Sequence, residues 1–166
     1  MTAETADWTK FWGLVKDIRF AMLTAHHPNG HLHSRPMTTM NGKDDRAGVL
    51  WFFTSRSSEP VLDIGASPEV NVAYADPGRD AYVSVAGHAR LVDDLAKKKA
   101  LWGPMVQAWF PGGPADPDVA LIAVTIEHAD YWDVKTNKAM QLVKMATAAL
   151  TGTRPSMGEH GRVRAS

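Results

Sequence analysis

At Phe53-Thr54-Ser55-Arg56-Ser57-Ser58 an apolar strand pattern gives way to hydroxyls and one guanidinium, just ahead of a helix start. Free backbone N–H groups at such a start carry partial positive charge, and Arg56 adds charge-assisted hydrogen bonds, so the junction suits a phosphate. Read alone, it equally describes Ser58 as a helix cap beside a solvated arginine. The second segment is Arg35-Pro36-Met37-Thr38, where proline marks an edge strand or an irregular stretch. Edge backbone is free to bond the imide edge of a flat heteroaromatic ring, and Arg35 can neutralise negative charge on such a ring once reduced. The competing account is an ordinary edge strand that uses Pro36 against aggregation.

Other constellations carry less. His31 and His33 share a strand face, with His26 and His27 close by, but no carboxylate or cysteine lies near them in the sequence to complete a ligand set, so no metal site is expected. Ser84, His88 and Asp93 lack the nucleophile-elbow pattern that would support a triad. Trp8, Trp12 and Trp51 fit core faces. Trp109, ahead of Phe110-Pro111-Gly112-Gly113, and Trp132, within Tyr131-Trp132-Asp133, suit a pocket wall or a subunit interface as well as they suit simple core packing. No side chain is a compelling acid or base, so the catalytic residues stay unassigned.

Apolar residues Trp8, Phe11, Trp12, Val15 and Ile18 recur at three- and four-residue spacing, which predicts a helix over 8–19 with Asp7 as its N-cap. Stretches 20–25 and 31–40 flank Pro28-Asn29-Gly30 and read as a hairpin. Asn41-Gly42, Asp44 and Asp45 then lead to a strand over 48–54, expected beside the first two. A short helix over 57–64 has Pro60 in its first turn. Strands over 70–75 and 81–92 flank Asp76-Pro77-Gly78. A helix over 94–102, a loop over 110–118, a final strand over 119–126 and a helix over 138–150 follow. The polar tail 154–166 is expected to be mobile or to lie on a partner subunit.

Six strands joined mostly by hairpin-length turns, with helices at their ends, predict a mainly β fold, a small antiparallel barrel rather than a doubly wound parallel sheet. A chain of 166 residues is expected to form one domain: the N-terminal helix (1–19), the barrel with inserted helices (20–136), and the C-terminal helix and tail (137–166). Lys plus Arg and Asp plus Glu balance at 18 each, which argues against nucleic acid as a partner. With no cysteine there is no thiol chemistry, and any redox role must come from a cofactor. Neither a leader pattern nor a spanning apolar run is visible, so a soluble, cytoplasmic, membrane-free protein is expected.

SRPMTT at 34–39, LWFFTSRSSEP at 50–60, AWFPGG at 108–113, EHADYWD at 127–133 and GEHG at 158–161 occur in this order. Together they resemble the general stress protein branch of the pyridoxamine-phosphate-oxidase-like family, the FMN-binding split barrels. That resemblance implies a six-stranded split barrel that pairs into a homodimer, with a flavin at the subunit interface. By position, Arg35, Pro36, Met37 and Thr38 would line the isoalloxazine ring, and Phe53, Thr54, Ser55 and Ser58 would approach the ribityl phosphate, with Arg56 adding charge. Trp109, Phe110 and Trp132 would come from the partner chain. The implied cofactor is FMN, with FAD, deazaflavin or haem as alternatives. The implied function is a flavin-dependent oxidoreductase using NAD(P)H or a small substrate, or else a non-catalytic flavin-binding stress protein. Related sequences commonly place a lysine where this chain has Glu59 and Pro60, so weaker flavin retention is expected.

Overall fold

Helical spacing of apolar residues builds α1 (Trp8–Ile18), which buries Phe11, Trp12, Leu14 and Val15. Arg19 ends it in the left-handed region at φ 65°, and its N–H donates to the Val15 carbonyl at 2.8 Å. The chain passes directly into β1 (Phe20–His26). The computed structural model describes residues 8–43, 45, 47–134, 138–155 and 158–165, so the expected cap Asp7 and the loop residue Asp44 lie outside the described residues.

β1 turns Ala21, Leu23 and Ala25 inward, and β2 (Leu32–Thr38) pairs with it antiparallel from His26↔Leu32 to Phe20↔Thr38. The order continues β3 (Val49–Ser55), α2 (Glu59–Ala66), β4 (Glu69–Asp76), β5 (Ala81–Val92), α3 (Leu95–Leu101), α4 (Pro104–Trp109), β6 (Val119–Asp133), α5 (Lys138–Thr151) and β7 (Glu159–Arg164). In space the strands run β2-β1-β4-β5-β6-β3, and β7 also pairs with β6.

Four expectations are corrected. The third strand does not lie beside the hairpin: β3 pairs with β6, from Val49↔Thr125 to Ser55↔Val119. The start of β6 is buried without interruption, Val119 to Val124, so it needs neighbours on both sides. The final strand does not stop at residue 126 but runs to Asp133. Its second half receives the expected tail as a seventh strand, Glu159↔Asp133 to Arg164↔His128. Between α3 and the loop, Pro104 starts a further short helix, α4.

The ladder does not close into a ring. Among the described residues, β2 and β3 face each other across a seam bridged at one end only, where Met40 N–H donates to the Trp51 carbonyl at 2.9 Å. Asn41 adds two bonds there, its amide donating to the Val49 carbonyl at 2.7 Å and its oxygen accepting from Trp51 N–H at 3.0 Å. β2 is therefore an edge, which accommodates Pro36. The main core gathers Phe11, Trp12, Leu23, Phe52, Val72, Tyr74 and Ile122. A smaller cluster of Trp51, Leu121 and Ala123 packs with Met40, Phe53 and Leu101. At a bulge between Ala86 and Gly87, a side chain on Gly87 would collide with the Thr125 carbonyl. Among the described residues no helix is long and apolar enough to cross a membrane.

Candidate functional site

Beyond the Asn41 bridge the seam opens into a cleft of about 530 Å³. Pro36, Met37, Thr38 and Met40 form one wall, and Phe53, Thr54 and Ser55 form the other. Met105, Val106, Trp109 and Phe110 close one side, and Asp118 completes the lining. Backbone direction follows from strand alternation. Thr39 N–H turns inward to the Arg19 carbonyl at 2.9 Å, while Met40 N–H turns out to the seam. Thr38 N–H and the Pro36 nitrogen therefore also face outward. On β3 Trp51 N–H points across the seam to Asn41, so Phe53 and Ser55 N–H point the same way.

The hydroxyl junction holds together through its own bonds. Thr54 and Ser58 share a hydrogen bond of 2.9 Å. Ser58 occupies the N-cap position of α2 in extended geometry but makes no side-chain cap bond, so its hydroxyl serves Thr54 instead. Ser55 donates to Asp118, and Phe53 meets Trp102 edge-to-face at 5.3 Å.

The two arginines point elsewhere. Arg56 Nε donates to the Pro117 carbonyl at 3.0 Å and its guanidinium lies 3.8 Å from Asp93, so it is absent from the cleft wall. Arg35 pairs with Glu59 at 2.7 Å. Glu59 also takes a hydrogen bond from His33. That bond first, and then the one from Arg35, holds the Glu59 carboxyl below its usual range.

Trp109 and Phe110 reach this cleft from the same chain that supplies Pro36 and Phe53, where the resemblance implied a partner's. Trp132 lies away from the cleft, stacked on His160 at 5.1 Å. Ser84, His88 and Asp93 do not converge. They engage Asn71 at 3.0 Å, Glu127 at 2.9 Å and Lys98 at 3.2 Å respectively. Sequence reasoning missed Met40, Met105, Val106 and Asp118 as wall residues. Asp118, just ahead of a long strand, carried the only available signal, a charge at a loop end.

A sequence model described as pyridoxamine 5'-phosphate oxidase like matches residues 6–156. The chain belongs to this family. Among similar members, Protein bli-3 of Neurospora crassa is 28% identical over 144 residues, spanning 81% of this chain and 68% of that protein. A crystal structure described as a general stress protein 26 of Jannaschia sp. CCS1 superposes with a TM-score of 0.74 at 27% identity, covering 95% of this chain and 97% of that one. The general stress FMN/FAD binding protein of Xanthomonas citri is 35% identical, with a TM-score of 0.68 and coverage of 77% and 89%. The fold is a split barrel of this family, its sheet left unclosed between β2 and β3. The general stress branch suggested by the sequence motifs is also the one these relatives' names carry.

Proposed function

We propose that this chain binds a flavin nucleotide, FMN with FAD as the alternative, in the seam cleft and uses it for oxidoreduction. The observation that carries the reading is the cleft itself, a slot between two unpaired strand edges with Pro36, Met37, Phe53 and Trp109 as apolar walls. Thr38, Phe53 and Ser55 N–H groups are turned toward it. A planar ring with an imide edge fits those edges, and the Thr54 hydroxyl in the cleft wall, bonded to Ser58 outside the lining, would meet a phosphate. The Xanthomonas citri relative, named for FMN/FAD binding, supports the same assignment.

When bound, flavin supplies hydride chemistry, with NAD(P)H or a small substrate as the other partner. The protein's own residues then bind, orient and exclude water. Among the described residues neither Arg35 nor Arg56 lines the cleft, and Asp118 is the one ionisable group that does. The phosphate end is therefore underprovided, and weak retention of FMN follows. A second reading, flavin binding without turnover, is favoured by one observation: among the described lining residues, Asp118 is the one ionisable side chain.

We also place this protein in a homodimer in the cytoplasm. Trp109 is 79% exposed beside the cleft, an apolar surface that a second subunit would cover. Absorption spectra of purified protein with added FMN, FAD and NAD(P)H test the assignment. Flavin perturbation followed by bleaching with nicotinamide supports the enzyme, perturbation without bleaching supports the binding protein, and a Soret band would replace flavin with haem. A monomeric mass by light scattering would remove the dimer.

A further inference from the structure

We propose that His27, His33, Glu59 and Asp63, none of which lines the flavin cleft, form a binding site for a divalent transition-metal ion. One donor atom from each lies within 4.8 Å of every other. Two structural units supply them. His27 opens the hairpin turn, and His33 stands on β2. Glu59 and Asp63 are four residues apart on α2, hence on one helical face.

The two imidazoles stack at 4.3 Å between centroids and 6° between planes, and both present Nδ1 to carboxylates. His27 Nδ1 lies 2.6 Å from Asp63 Oδ1 and 3.4 Å from Glu59 Oε1, while His33 Nδ1 bonds the same Glu59 oxygen. A cation with ligands at about 2.1 Å in tetrahedral geometry sets donors about 3.4 Å apart. One pair already has that separation. The closer pairs share a proton that a cation would displace, and they need to open by about 1 Å.

The chemistry of the set selects the ion. Two imidazoles disfavour magnesium and calcium, and two carboxylates without thiolate suit zinc, cobalt or manganese. Asp63 is 1% exposed, a burial that a carboxylate tolerates only with a strong partner. Arg35 holds Glu59 Oε2 at 2.7 Å, which orients the carboxylate and leaves Oε1 directed at the histidines. His27, His33 and Glu59 retain side-chain exposures of 22%, 34% and 36%, so an ion can enter from solvent.

The test uses the full chain after chelator treatment, titrated with Zn²⁺ by calorimetry and with Co²⁺ by visible absorption. One equivalent should bind, with d–d bands and a raised Tm. His33→Ala should weaken binding by more than about 100-fold, because even outer-shell partners are worth roughly 10–100-fold. His31→Ala, an exposed histidine of the same hairpin, should bind as the parent does. Asp63→Asn provides a second ligand variant should His33→Ala fold poorly. Absence of binding by the parent overturns the proposal, as does binding that survives in both ligand variants or is lost with His31.

Discussion

Ser55 shares its hydroxyl proton between both carboxylate oxygens of Asp118, 2.8 Å from each. That bond fixes a negative charge in the wall of a cleft whose proposed ligand carries a phosphate. At an effective dielectric intermediate between water and protein, two charges several ångströms apart repel by about 1 kcal/mol. Asp118→Asn should therefore tighten FMN several-fold in a fluorescence titration. Riboflavin, which lacks the phosphate, should bind both forms alike; an equal gain for riboflavin would show that the charge is not the cause.

Glu59 gives an acid-limb prediction. Its carboxyl is held below the ordinary value of 4.5 by His33 and then Arg35. A depressed folded value means stability that is present above the unfolded value and lost as pH falls through the folded one. In melts from about pH 6 to about pH 3, the Tm gap between parent and Glu59→Gln should hold steady at first and narrow below 4.5. A gap that widens toward acid would reverse the assignment.

Thr39 and Tyr74 share a buried hydrogen bond of 2.7 Å. Burial pushes the Tyr74 hydroxyl well above its ordinary value, so it stays protonated. Thr39→Val strands that hydroxyl and should cost about 1–3 kcal/mol in urea unfolding. With Tyr74→Phe added, the double variant should lose less than the sum of the two single changes.

Trp109 separates binding from folding. Because it is 79% exposed, Trp109→Ala should leave the monomer's stability within about 0.5 kcal/mol of the parent. FMN affinity should drop about tenfold if its ring stacks on the ligand. Unchanged affinity would assign Trp109 to another surface.

The strands were legible wherever one face meets the core, as in β1, where Ala21, Leu23 and Ala25 alternate with outward residues. β7 was not legible, because of its residues only Val163 is fully buried. The partner of β3 was hidden for another reason: its pairing with β6 joins Val49 to Thr125, and sequence spacing does not report such distant neighbours. The same limit concealed the carboxylates beside the histidines, 26 residues away for His33 and 36 for His27. At the cleft, the motifs located both walls, while only packing shows that Arg56 turns away toward Pro117.

Bridged at the Met40–Trp51 bond and Asn41, the sheet is unzipped along its remaining length, and among the described residues the amides of Thr38, Phe53 and Ser55 have no rung to complete. An occupant of the slot would act as a strand in all but covalent structure, tying the two edges together as a keystone ties an arch. Slowed hydrogen exchange at those three amides would then report occupancy directly, and the empty barrel would be the more compliant body, free to breathe along a single line.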